Sequence, residues 1–282
     1  MNLTLPKEEK LSKKTIAIYI VAVVICILAI IIVVGVQILG DDVINNLFGI
    51  NKLVKRTEQE EALLKANFET LFNNQLEDKG NYRTQKVEEN NEIVYTNYQK
   101  EEKTENYEIN VNLPYINIKN KIIQEFNQEM SNVFQAKAEE IIDSADKNVI
   151  YTVKYKGCIE NNILSLVIYS DLKQGSSAQR VIIQTFNFNL EENKELTLED
   201  VLKIYDLNKS EVQNSIDEDI KEEQKKSDDL KELGYNVFSR DIQSEMYKIE
   251  NVTEFFIYDN NIYIIFAYGN NSITSEKDLV II

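Results

Sequence analysis

Histidine and tryptophan are absent from the 282 residues, proline and cysteine occur twice each, and glycine only eight times. The missing histidine removes Ser-His-Asp and Cys-His nucleophile systems, HExxH zinc sites and any imidazole base. Cys26 lies inside a long apolar run, so Cys158 stands alone in the rest of the chain and no disulfide forms there. An external domain without disulfides is more usual on a Gram-positive bacterial surface than in an animal secretory pathway. Positive charge is also short: 31 Lys and Arg face 47 Asp and Glu, for a net −16. That sign argues against nucleic acid, whose phosphates are bound through Lys and Arg, and against tight docking on an anionic lipid surface. It suits a cationic partner, although surplus acid also serves solubility alone. The heavy use of Asn, Ile, Lys and Tyr reads as a codon bias toward AT-rich genes.

What is present begins with Ile16–Val36, 21 aliphatic-rich residues without a charge. At ~1.5 Å per residue, ~20 such residues cross the ~30 Å hydrocarbon core of a bilayer. Residues 1–14 carry Lys7, Lys10, Lys13 and Lys14 against Glu8 and Glu9, a net +2 that leaves −18 for the remainder, and Asp41 and Asp42 follow the run. The positive-inside rule therefore predicts a cytoplasmic tail and an extracellular body. The run exceeds the ~7–15 residues of a signal-peptide core, and no A-x-A site follows it, which predicts an uncleaved single-pass anchor.

The predicted organisation is a tail over 1–14, a transmembrane helix over 15–39, a helical stalk over 40–79, and α+β modules over 80–170 and 171–282. In the stalk, apolar residues from Leu47 to Leu76 recur mostly at steps of three or four. This predicts one helix or two, either rising from the membrane or packed on the body. Tyr107–Leu113 alternates as a half-buried strand does, and Pro114 ends it. A helix is expected over Asn117–Ala145, capped by Asn117. Strands follow at Val149–Tyr155, Ile163–Tyr169 and Val181–Leu190, with a hairpin connection over Gly157–Asn162. On the third of these strands Ile182, Phe186, Phe188 and Leu190 share a face. Thr197 with Asp200 opens a short helix, and residues 209–232 form a charged helix with one narrow packing face at Val212, Ile216 and Ile220. A short helix over Arg240–Met246 precedes a hairpin of Thr253–Tyr258 and Ile262–Tyr268, and Leu279–Ile282 makes an edge strand.

Three stretches carry a likeness to a known family. They are Tyr107–Ile142, with its strand, proline and helix; SLVIYSDLKQGSSAQRVIIQTFNFNLEENKELTLEDVL, Ser165–Leu202; and the terminal FFIYDNNIYIIFAY hairpin. In this order they resemble the extracellular region of RsiV-type membrane-bound anti-sigma factors, whose paired domains of unknown function also accompany some peptidoglycan deacetylases. The resemblance implies two small antiparallel-sheet-plus-helix modules at a cell envelope, the second matching the family's C-terminal domain. Two departures stand out. The family loop Gly-Gly-Ala-His reads here Gly175-Ser-Ser-Ala-Gln179, and the Pro-Tyr-rich segment after the last hairpin is replaced by Gly269-Asn-Asn-Ser-Ile-Thr. A 14-residue tail is too short to fold into a sigma-binding segment, and the deacetylase domain is missing. The likeness thus speaks for fold and location and for neither known activity.

Gly175, Ser176 and Ser177 form a small, polar loop between core strands, readable as a ligand contact or as an exposed turn. Tyr151, Tyr155 and Tyr169 suit glycan stacking or ordinary strand packing. The acidic runs Asp217-Glu218-Asp219 and Glu222-Glu223 lack the order of a calcium loop and read as a solvated helix face. No residue is assigned to catalysis, a metal or a cofactor. The expected function is a membrane-anchored extracellular binding or sensing protein of the bacterial envelope, without catalytic activity. Its expected partner is a cationic protein such as lysozyme, or a cell-wall component. The alternatives are a structural envelope protein docking to a membrane partner and, after that, a carboxylate-based cell-wall hydrolase.

Overall fold

The computed structural model describes residues 56–80, 82–144 and 147–282. The run Ile16–Val36 and the predicted tail lie outside them; among the described residues no helix is long and apolar enough to cross a membrane. Thr57 opens helix α1 (Glu58–Asn67) with a capping box, accepting from the Glu60 N–H while the Glu60 carboxylate accepts from the Thr57 N–H. The helix then tightens into a single 3₁₀ turn, Phe68–Leu71, and the chain turns through Asn74, at φ 57°, into strand β1 (Gln75–Asp78).

Six further strands build one long sheet with β1. They are β2 (Val94–Lys103), β3 (Tyr107–Ile116), β4 (Val149–Glu160), β5 (Ile163–Gln174), β6 (Arg180–Asn189) and β7 (Lys194–Glu195), adjacent in that order. One edge of β4 is shared: its first half runs parallel to β3, from Tyr107 opposite Val149, and its second half parallel to β1, from Gln75 opposite Lys156. Alternation places Ile109, Val111, Tyr151, Val153 and Tyr155 on one face. Helices α2 (Lys121–Met130) and α3 (Ala136–Asp143), joined by a π-helical turn at Ser131–Gln135, bury Ile123, Met130, Phe134, Ala138 and Ile141 against that face.

A second sheet, β8 (Phe255–Tyr258), β9 (Asn261–Ala267) and β10 (Lys277–Ile281), stacks on the opposite face. Val167, Val181 and Ile183 of the long sheet meet Phe256, Tyr263 and Ile265, with Phe68 and Phe72 between them. Helices α4 (Leu198–Ile204) and α5 (Lys209–Glu232) cover the outer face of the small sheet through Val201, Val212, Ile216 and Ile220. The layers therefore run helices, long sheet, small sheet, helices: a mixed α+β fold. Arg240 locks the outer layer, pairing with Asp278 through Nε and Nη2 at 2.5 and 2.6 Å while Nη1 donates to Ser227 Oγ at 2.7 Å.

Several elements differ from expectation, each for a long-range reason. The described end of the expected stalk follows the second of its two readings, packed on the body, with Phe68 fully buried and Arg56 donating to Asn261 Oδ1 and Ile281 O, but Leu76, expected in a helix, lies in a strand. The expected division at 170/171 falls inside β5, which pairs along its whole length with β4 and from Ile163 to Leu172 with β6, so one sheet runs across it. Gly157 and Cys158 sit within β4 because β1 supplies a partner there, and the turn shrinks to Asn161-Asn162 at φ 50° and 61°. Asn120, rather than Asn117, caps α2; the Asn117 side chain instead accepts from the Val87 and Glu88 N–H groups. Residues 240–244 form no helix, and two short 3₁₀ turns follow, at Glu245–Tyr247 and Ile249–Asn251.

Two stability tests follow from local chemistry. Lys194 and the Thr197 cap hold the Asp200 carboxyl down at about 2 against 3.8. A depressed carboxyl stabilises above its unfolded pKa and loses that contribution as pH falls through the folded one. Asp200→Asn is expected to cost about 1 kcal/mol at pH 7, and thermal melts should show the gap to wild type closing between pH 4 and 2. Ser165 Oγ accepts from the buried Ile257 N–H at 2.9 Å. Ser165→Ala leaves that donor unpaired and should cost about 1–3 kcal/mol in a urea titration.

Candidate functional site

Strand β6 is where the helices, the long sheet and the small sheet meet. One of its edges is paired by β5, whereas on the other only Phe188 and Asn189 meet a strand, β7. Unpaired buried N–H groups along the rest would be costly, and each outward donor finds a substitute. The Val181 N–H donates to Thr274 O at 3.0 Å. The Ile183 N–H donates to Asn270 Oδ1 at 3.0 Å, and Asn270 Nδ2 returns a bond to Ile183 O at 2.8 Å. The Thr185 N–H and Oγ1 donate to Glu254 Oε2 at 2.6 and 3.0 Å. Gly269 permits this approach, since a Cβ there would stand 1.7 Å from Val181 O and 2.7 Å from Thr274 O.

A groove with two adjoining lobes runs beside this capped edge. The larger, of about 530 Å³, is lined by Arg180, Ile182 and Gln184 from β6, by Val133 of the π turn, and by Glu254 and Asn270. The smaller, of about 310 Å³, adds Phe126, Glu129 and Glu195 and shares Gln184 and Glu254. The lobes differ in charge. Arg180 is the cation of the first; its Nε donates to Gly269 O at 2.9 Å and its Nη2 to Asn270 O at 3.4 Å. The second holds Glu125, Glu129, Glu195 and Glu254, of which Glu125 is paired with Lys121 at 3.3 Å. Burial raises the Glu254 carboxyl above its ordinary range, the Thr185 hydrogen bonds work against that, and the nearby Glu129 adds to it.

The residues singled out from sequence lie elsewhere. Gly175, Ser176 and Ser177 form an exposed turn after β5, with Gly175 at φ 52°, and they line neither lobe. Their backbone is held locally, the Gly175 N–H donating to Asn148 O and the Ser177 N–H to Gln174 O, both at 3.0 Å. Tyr151 and Tyr155 are buried, and Tyr169 packs on Phe72 with ring centres 5.2 Å apart, so the three make no open aromatic face. Asp219 binds Lys65 of α1 at 2.9 Å; burial, with Glu61 beside it, pushes its carboxyl up to about 6. Cys158 is buried and its thiol is pushed up to about 12, first by burial, which leaves it unsuited to nucleophilic work. Among the described residues no group of three or more Cys, Asp or Glu is placed to hold a metal ion. Sequence reasoning missed Arg180, Gln184, Glu254 and Asn270. One signal was present: Gln184 interrupts the apolar face of Ile182, Phe186 and Phe188.

No family model matches the chain, and no curated protein matches it. Among solved structures it is similar to two proteins of the DUF3298 family, a domain family of unknown function. For the one from Pseudomonas aeruginosa the TM-score is 0.29 at 12% identity, over 43% of this chain and 57% of that one. For the one from Bacteroides fragilis it is 0.36 at 11% identity, over 62% of this chain and 81% of that one. The chain thus spans little more than half the length of the Pseudomonas protein. Likeness at this level says nothing about the groove.

The groove wall depends on Gly269, whose replacement must move backbone and not a flexible side chain. Gly269→Ala is expected to lose about 3 kcal/mol or more, read as a lowered urea midpoint. Asn271→Ala, at an exposed position of the same wall, should stay within about 0.5 kcal/mol of wild type.

Proposed function

We propose that this chain is a non-enzymatic binding module of a bacterial envelope, anchored by Ile16–Val36 with its body outside the cell, and that the groove beside β6 receives a cationic ligand. The observation that carries the reading is the smaller lobe. Glu129 and Glu195 are exposed there, Glu254 lies beneath, and only Glu125 of the four carboxylates has a lysine partner. Carboxylates without a basic partner, gathered in a concave lobe, attract positive charge better than the same groups scattered on an open surface. The −18 carried outside the tail adds long-range steering toward a basic protein such as a lysozyme. Location rests on the charge asymmetry around the apolar run and on the resemblance to envelope proteins.

The test uses the full chain in lipid nanodiscs with hen lysozyme as the cationic probe, followed by calorimetry at low and high salt. Binding is expected to weaken as salt rises. The double variant Glu129→Gln with Glu195→Gln should lower affinity about tenfold, corresponding to roughly 1.4 kcal/mol. Affinity indifferent to the double variant would overturn the groove as the site. Inaccessibility of the body to protease added outside intact cells would overturn the proposed orientation.

A further inference from the structure

We infer that the groove is read from both ends, taking a short extended peptide whose free carboxylate meets Arg180 and whose cationic side chain reaches Glu129, Glu195 and Glu254. This rests on the binding function proposed above and narrows its ligand from any cation to a peptide with a defined direction.

The first observation is Arg180 itself. Acids outnumber bases by 47 to 31 in this chain, yet among the described residues no carboxylate pairs with this guanidinium. Arg240, by contrast, is gripped by both oxygens of Asp278 through Nε and Nη2. Two backbone carbonyls fix the Arg180 side chain through Nε and Nη2. Of the five N–H groups of a guanidinium, three then remain, in the planar fork that matches a carboxylate.

The second observation lies midway. Gln184 lines both lobes, and its Oε1 is the one buried side-chain oxygen or nitrogen among the described residues without a hydrogen-bond partner. Native proteins rarely leave such a group unpaired; the oxygen is closed off from solvent, and the half-buried Gln184 side chain must turn toward the groove for a peptide N–H to satisfy it. The third observation is spacing. Arg180 and Gln184 lie four residues apart on β6, about 13 Å along a strand, the reach of about four extended residues. Beyond Gln184 come the carboxylates of the second lobe, and Val133 and Phe126 on the helical wall offer apolar contact between the charged ends.

Three peptides test the inference by calorimetry against the full chain in detergent micelles: N-acetyl-Lys-Ala-Ala-Ala as the free acid, the same peptide as its C-terminal amide, and the all-alanine free acid. The lysine free acid is expected to bind about tenfold more tightly than either of the others. Arg180→Gln should abolish its advantage over the amide, and Arg180→Lys should retain part of it; melting temperatures of both variants check that the wall at Gly269 survives. Equal binding of the lysine acid and its amide by wild type would overturn the directional reading and leave cation binding standing. Failure of all three to bind would overturn the directional reading outright, and the lysozyme measurement separately decides the broader one.

Discussion

An edge strand that ends inside a protein carries N–H and C=O groups that water cannot reach, and β8 is such a strand. Its inner edge faces the long sheet, and no strand completes it. The side chains of two buried polar residues do so. Ser165 Oγ donates to Asn187 Oδ1 at 2.6 Å and accepts the Ile257 N–H, while Asn187 Nδ2 donates to Phe255 O at 2.8 Å. Thr185 continues the pattern by accepting the Phe255 N–H at 3.1 Å. These bonds set the register of one sheet on the other. The apolar contacts of Phe256, Val167 and Ile183 surround them but, being non-directional, do not fix that register.

The same device recurs with asparagine. Asn127 on α2 presents its amide to both the N–H and the C=O of Ile116, at 3.0 and 2.9 Å, standing in for a neighbouring strand. Asn270 does this for Ile183, and Asn74 extends the β1 ladder by accepting the Tyr155 N–H. Asparagine also takes the place of the scarce glycine. Eight non-glycine residues among those described have positive φ, and every one is Asn or Asp. Four of them form the tight hairpin turns Asn161-Asn162 and Asp259-Asn260, where the short polar side chain tolerates the left-handed region. An abundance that composition alone ascribes to codon bias is thus put to structural use at strand edges and turns.

What could be read from the sequence was what is local. The Thr197–Asp200 box, the Val212, Ile216 and Ile220 face of α5, and the final hairpin depend on neighbours a few residues away, and they appear as expected. What escaped depends on partners distant in the chain. Nothing near Leu76 marks it as a strand residue, because its partner is Gly157. Phe68 and Phe72 have the spacing of any amphipathic helix, and only the stacked sheets reveal that they fill a seam. The groove was invisible for the same reason: Arg180, Glu254 and Asn270 come from separated segments, brought together by bonds between backbone and side chain that leave no periodic trace. Gly175–Ser177 drew notice by composition, a measure that does not distinguish a turn from a pocket.

The position of α1 gives the molecule a definite mechanical grain. Phe68 and Phe72, at the end of the segment that starts at Arg56, are the wedge between its two sheets, with Phe68 in contact with Phe72 and Tyr263 at ring separations of 5.3 and 5.7 Å. Tension arriving from the preceding residues bears first on the Arg56 bonds to Asn261 and Ile281 and on the Lys65–Asp219 pair, and then on those rings. Load therefore enters at the seam between the layers and not along a strand ladder. A pull on the other terminus meets β10, which is zipped residue by residue to β9 from Lys277 to Ile281. The two ends of the body thus resist force in different ways, one as a wedge and the other as a zip.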